Sequence, residues 1–297
     1  MRTRLLGVAA AAFVVTALMA GCTSQGSTRA SSPAPSSSAA ASTQAPAATS
    51  VSPAAGSLVA GEKATIEGAD LTGVTRVTFG DQEATDVTVV SPTQVTLVVP
   101  HAVNYQPGSA AVTAYKGTVA VAATKPLTYT WAVQTGVDKE MQYAFAHWNT
   151  TTYNPAYYDF NAVGGDCQNF VSQSLLARGL ATTAGWFYTS QSSHSESWGY
   201  APSFNSYLAA NPKLGFTKLT SDQRSQLSVG DLAYFDWNHN GVPDHTMIVS
   251  GVSTVNGVTK VTLVGHNLDS DYRDLDTAIT VDHPGATVWF WKVPASL

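Results

Sequence analysis

The chain has 297 residues, enough for about two domains, yet only 12% are charged and the formal net charge is −5. No basic stripe of the kind nucleic-acid binding needs is present, which sets that partner class aside. Aromatic residues at 10%, with plentiful Gly, Ser, Thr and Ala, fit an exported β-rich protein better than a coiled coil.

Met1 to Arg4 carry two arginines, and Leu5 to Leu18 is an uncharged apolar run, short for a membrane span but suited to a signal-peptide core. Residues 1–21 therefore read as a signal peptide. Leu18, Met19, Ala20, Gly21 and Cys22 resemble a bacterial lipobox, whose cysteine becomes the lipidated first residue; Met19 stands where the pattern prefers leucine. The alternative is ordinary cleavage after small residues. The expectation is a protein anchored through acylated Cys22 to the extracellular face of the cell membrane. Acylation of Cys22 would leave Cys167 without a disulfide partner in the chain. An unpaired cysteine in an exported protein points to a reactive thiol or to intermolecular pairing.

Residues 22–50 are almost wholly Ser, Ala, Thr, Pro, Gln and Gly, with too little apolar surface to order the chain, and read as a tether. Residues 51–131 alternate short apolar runs with turn residues: Ala64–Glu67, Val74–Phe79, Thr85–Val90, Gln94–Val99, Ala110–Ala114 and Leu127–Trp131. This spacing predicts an all-β sandwich. The segments SPAAG (Ser52–Gly56), GEKATIEGADL (Gly61–Leu71), VTRVTFGDQEAT (Val74–Thr85) and VVSPTQVTLVVP (Val89–Pro100) resemble an IPT/TIG domain, which implies an immunoglobulin-like fold acting as a stand-off spacer. Ala132 to Gly136 read as a hinge.

The second domain, residues 137–297, opens with a helix from Asp138 that places Met141, Ala144, Phe145 and Trp148 on one face. The stretch GGDCQNFVSQSLLARG (Gly164–Gly179) follows. Gly164 and Gly165 permit a turn, Asp166 can cap, helical spacing runs from Cys167 to Arg178, and Gly179 supplies the stop. A third helix is predicted from about Pro202 to before Asn211. Strands are predicted at Leu232–Trp237, His245–Val252, Val258–Val264 and Thr287–Val293, the second and third joined by an Asn256–Gly257 hairpin turn. Helices first and an antiparallel sheet afterwards give an α+β domain with the Cys167 helix against one sheet face.

A cysteine at a helix N-terminus is a candidate nucleophile, because the helix dipole and free N–H groups favour its thiolate. It needs a base and a group to orient that base. His245 begins a strand. The Asn256–Gly257 hairpin returns His266 and Asn267 to the same end of the sheet, so either can serve as the third member.

The segments Tyr143–Gly179, Trp186–Tyr188, Ser197–Leu208, Val229–Val249 and VGHN (Val264–Asn267) resemble the bacterial Putative amidase domain, a group related to NlpC/P60 and CHAP cysteine peptidases and amidases with a papain-like arrangement. The resemblance places the nucleophile at Cys167, the base at His245 and the later histidine at His266. Gln168 and Asn267 stand where that family usually has threonine or serine, which leaves the third member open between His266 and Asn267. It implies hydrolysis of an amide through a thioester, with cell-wall peptides as the expected substrate class and no required cofactor. The alternative is a non-catalytic surface-binding lipoprotein with a degenerate papain-like domain. Trp186, Tyr188 and Trp198 either line a substrate cleft or pack the core.

Asp236, Asn238, Asn240, the Val242 carbonyl and Asp244 have the spacing of a calcium loop, although Met247 replaces the bidentate acid at its twelfth position. The competing reading is a hairpin turn whose Asn240–Gly241 pair supplies positive φ.

Overall fold

The computed structural model describes residues 45–59 and 61–297. The signal peptide and lipidation site, including Cys22, lie outside the described residues, as does most of the tether.

The first part of the chain is a two-sheet sandwich built from β1 (Ala47–Ser52), β2 (Ala55–Ser57), β3 (Lys63–Ala69), β4 (Arg76–Phe79), β5 (Gln82–Glu83), β6 (Thr85–Ser91), β7 (Gln94–Val98), β8 (Gly108–Lys116), β9 (Val119–Ala120), β10 (Ala122–Ala123) and β11 (Thr128–Ala132). One sheet runs β10-β1-β3-β7-β6 and the other β2-β11-β8-β4-β5, with β9 on β8. Alternation supplies the core: Ala64 and Ile66 of β3 meet Val95 and Leu97 of β7, and Val77 and Phe79 of β4 meet Tyr129 and Trp131 of β11. The strand β1 begins at Ala47, inside the stretch read as tether. Its small side chains carry little apolar signal, but Ala48 and Val51 are buried and the strand pairs with β3.

The second part opens with α1 (Gly136–His147), two residues earlier than expected, because Thr135 rather than a later residue forms the N-cap, in a capping box with Asp138. Then come α2 (Cys167–Arg178), a small hairpin of β12 (Tyr188–Ser190) and β13 (Ser193–His194), α3 (Glu196–Gly199), α4 (Ala201–Ala210) and the strands β14 (Thr217–Leu219), β15 (Leu232–Asp236), β16 (His245–Val255), β17 (Val258–Gly265), β18 (Ser270–Asp274) and, after the short α5 (Leu275–Thr277), β19 (Thr287–Lys292). The sheet order is β14-β19-β15-β16-β17-β18, antiparallel throughout. Tyr234, Ile248 and Val264 pack with Phe170, Val171 and Leu175 of α2 on one face. Phe235, Met247, Leu263 and Phe290 form a second cluster. Asn256 and Gly257 both have positive φ, 51° and 78°, as the hairpin turn between β16 and β17 requires.

The expected hinge is instead a pinned junction. The Asp138 carboxylate, fully buried at the start of α1, accepts hydrogen bonds at Oδ1 from Ser57 Oγ, Leu58 N and Val59 N of the sandwich, and at Oδ2 from Gln134 N and Thr135 N. Tyr105 reaches from the sandwich into the core of the second domain, where its hydroxyl donates to the Ser250 carbonyl of β16 and its ring lies 4.8 Å from Phe145. The described residues belong to one compact unit.

Candidate active site

The helix α2 is buried on nearly every side from Cys167 to Leu175, so each of its polar side chains needs a partner. Gln168 accepts from the Tyr234 hydroxyl at 2.9 Å and donates to Ser172 Oγ. Asn169 accepts from the Trp198 indole at 2.8 Å and donates to the Tyr158 carbonyl. Ser172 accepts from the Trp186 indole and donates to the Trp198 carbonyl. Trp186 and Trp198 are each 0% exposed. They are therefore core pillars that satisfy α2, which corrects the cleft-lining alternative for both. Tyr188 is half-buried and packs on Tyr157 and Trp198 while its hydroxyl accepts from Tyr158 N.

Asp166 precedes α2 but makes no side-chain cap. Its carboxylate instead accepts from Phe160 N at 2.9 Å, Asn169 Nδ2 at 2.8 Å and His266 Nδ1 at 2.6 Å. The other nitrogen of His266 lies 2.8 Å from the His147 carbonyl oxygen, and the ring is sandwiched between Tyr153 at 3.6 Å and Phe170 at 4.1 Å. Both ring nitrogens of His266 are thus committed. Asn267, at φ 61°, accepts from Asp166 N at 2.6 Å and donates to Asn161 Oδ1. Gly165, at φ 117°, lies against that amide; a Cβ there would come within 3.3 Å of Asn267 Oδ1. The end of the β16–β17 hairpin therefore fixes the loop that delivers the thiol.

Cys167 and His245 border one cavity of about 400 Å³ at this end of the sheet. Burial pushes the Cys167 thiol up to about 11, and the Asp166 charge acts in the same direction, while the backbone amides of Thr246 and Gln168 oppose it. Burial, then the charges of Arg273 and His283, push His245 down to about 3. Each shift favours the neutral form of its group. His245 Nε2 is buried without a hydrogen-bond partner. Among the described residues, no hydrogen bond joins Cys167 to His245, and neither His266 nor Asn267 bonds to His245.

The Putative amidase domain matches residues 136–291, more than half of the chain, and the IPT/TIG domain matches residues 46–130. The chain belongs to the Putative amidase domain family. Uncharacterized protein YhbB of Bacillus subtilis (strain 168) is 36% identical over 115 residues, which cover 37% of this chain and 35% of YhbB. The match thus spans about a third of that relative. Among solved structures, the TIG domain of human nuclear factor of activated T-cells, cytoplasmic 4 is similar at 22% identity over 29% of this chain and 89% of that one, with a TM-score of 0.25. The Bacteroides ovatus mixed-linkage glucan utilization locus protein SGBP-B is similar at 12% identity over 84% of this chain and 52% of that one, also with a TM-score of 0.25.

Three residues of the amidase domain that border the cavity carried no sequence signal as site residues: Trp237, Arg273 and His283. Trp237 stacks on His283 with ring centroids 4.0 Å apart. Arg273 lies on β18, whose sequence SDYRD lacks the apolar alternation of a buried strand.

The loop with calcium-like spacing is closed by its own hydrogen bonds. Asp236 accepts from Asn240 N and Gly241 N, Asp244 accepts from Trp237 N and Asn238 Nδ2, and Asn240 Oδ1 accepts from Val242 N. Positive φ falls on His239 and Gly241, at 60° and 82°, rather than on Asn240. Among the described residues, no group of three or more His, Cys, Asp or Glu side chains is arranged to hold a metal ion.

Proposed function

We propose that this protein is an extracytoplasmic cysteine amidase with a papain-like, NlpC/P60-related site, acting on cell-wall peptides and held at the membrane by lipid on Cys22. The observation that carries this reading is the shared cavity: Cys167 at the first turn of α2 and His245 at the first residue of β16, with the buried Nε2 of that imidazole free of any protein partner. A base must have an open lone pair to take a proton.

In this mechanism His245 accepts the thiol proton as Cys167 attacks the amide carbonyl. Backbone N–H groups of the first turn of α2 stabilise the oxyanion. The protonated His245 then gives its proton to the leaving amine, and water hydrolyses the thioester. Asn267 and His266 hold the Asp166 loop, a positioning role in place of the direct contact with His245 expected of a third member. Tyr188 supports the loop carrying Tyr158.

The test is incubation of the full mature chain with peptidoglycan and its peptides, with mass spectrometry for new amino and carboxyl termini. Release by the wild type that is lost in Cys167→Ala and His245→Ala is expected. Equal release by Cys167→Ala, or none from any protein, would overturn the reading. One observation favours a second reading, a binding module without turnover: no hydrogen bond joins the thiol to His245 among the described residues, and burial pushes that thiol up. Saturable retention of wall peptides without any new termini would select it.

A further inference from the structure

The cavity beside Cys167 holds one permanently charged cation, Arg273, placed there by β18. Arg273 pairs with Leu263 of β17, so it stands on the sheet face that carries Val249 and Met247 and, two residues further, His245. A guanidinium has five N–H donors in a planar fork. Among the described residues Arg273 uses only one side of that fork, Nη2 to Asp282 at 2.8 Å. The acid that borders the cavity, Asp244, is turned onto Trp237 N and Asn238 Nδ2. Arg273 thus borders the same cavity as the nucleophile and the base, with its remaining donors unbonded to protein among the described residues.

Resting on the amidase reading, we propose that Arg273 is a carboxylate-recognition residue, so that the substrate is a peptide amide bearing a free carboxylate close to the bond attacked by Cys167. Planar guanidinium matches carboxylate in two-point contact, where a lysine would offer only a point charge. The stacked pair of Trp237 and His283 supplies a flat wall for the adjoining part of the peptide. Arg273 is also one of the two charges that oppose a proton on His245. A guest carboxylate offsets that charge and returns basicity to the imidazole.

The thiol itself reports on this subsite, without turnover. Iodoacetate and iodoacetamide both alkylate a thiolate with loss of iodide, but only the first carries a carboxylate. The ratio of their rates on Cys167 at pH 8.5 cancels the thiolate fraction of the unliganded protein and keeps whatever the reagent's own carboxylate adds. The full chain should give a ratio about five- to tenfold above that of N-acetylcysteine amide, falling to the reference value in Arg273→Gln, partly kept in Arg273→Lys and rising in Asp282→Asn. On the wild type alone, N-acetylalanine or N-acetylglutamate α-amide should slow alkylation by iodoacetamide where N-acetylalanine amide does not. The first protecting identifies a terminal carboxylate, the second a side-chain carboxylate. A wild-type ratio equal to the reference, a raised ratio unchanged in Arg273→Gln, or no protection by either acid would overturn the proposal. Hydrolysis of carboxylate-free and carboxylate-bearing peptides at equal rates would remove Arg273 from recognition and leave the amidase reading standing, whereas absence of all hydrolysis with a raised ratio would do the reverse.

Discussion

Replacing Tyr105 by alanine tests whether the sandwich and the amidase domain are one folding unit. Tyr105 belongs to the sandwich by sequence, but its side chain is 0% exposed inside the amidase core. Its ring stacks on His101 with centroids 4.7 Å apart, and its hydroxyl donates to Ser250 at 2.5 Å. Truncating a buried aromatic costs about 3–5 kcal/mol through lost transfer energy and the cavity left behind. For a unit of this size, each kcal/mol moves the melting temperature by roughly 2–4 °C, so Tyr105→Ala should melt roughly 6–20 °C below the wild type. Tyr105→Phe keeps the packing and strands only the Ser250 carbonyl, for about 1–2 kcal/mol. Calorimetry, with tryptophan fluorescence as a second probe, should show one transition that shifts as a whole. Two separate wild-type transitions, or a Tyr105→Ala protein melting within about 2 °C of the wild type, would refute the reasoning. The pinned Asp138 makes the same argument from the other side, since the amidase domain cut at the former hinge would leave Oδ1 without its three sandwich donors.

His245 should make the protein acid-sensitive. Its folded value near 3 lies below the unfolded value near 6.5, so the unfolded chain binds the extra proton between those limits and stability falls as pH falls through that window. Urea unfolding should show His245→Gln spared about 2–3 kcal/mol of the loss the wild type suffers between pH 7 and 4.5; parallel pH profiles would refute it. Asn267→Gly should keep the left-handed backbone yet lose the acceptor for Asp166 N, lowering kcat about tenfold by the loosening of the thiol loop. Asn267→Ala should match that kcat and lose about 1 kcal/mol more in stability from strain, and a wild-type kcat in both variants would free Asn267 of its positioning role. Chelator should leave the melting temperature unchanged, because protein donors already occupy the Asp236 and Asp244 carboxylates; a rise of several degrees on adding calcium would restore the calcium loop.

What the sequence disclosed was what short-range chemistry controls. Asn256–Gly257 forced a hairpin, and the alternation around it set the strand ends that bring His245 and Asn267 into one cavity. Gly164, Gly165 and Gly179 bracketed α2, and all three adopt positive φ. Other features depend on partners distant in the chain. Trp186 and Trp198 read equally as cleft or core until Ser172 and Asn169 of α2 claim their indole donors. Asp166 looked like a cap because it stands before a helix, but a histidine 100 residues later outcompetes the local amides. Tyr105 sits in an irregular turn with φ 50°, where no periodicity points it anywhere. The polar strand β18 needs β17 beside it to be a strand at all, and Arg273 goes unnoticed with it.

The opposite shifts of Cys167 and His245 bear on how such a site can work. Burial penalises the Cys167 thiolate and the His245 imidazolium separately, which is why one is pushed up and the other down. Formed together, they attract one another, and the pair titrates as a unit rather than as two isolated groups. Arg273 and His283 oppose the positive half of that pair. A substrate carboxylate at Arg273 weakens that opposition and at the same moment fills the cavity and excludes water, which strengthens the attraction between the charges that form. On this argument the thiolate belongs to the occupied cleft. A small neutral reagent meeting the empty site finds a protonated thiol and reacts slowly, so slow alkylation by iodoacetamide is compatible with fast turnover of a carboxylate-bearing peptide. Turnover is the measurement that separates an amidase from a binding module here, and its dependence on that carboxylate is the measurement that tests Arg273.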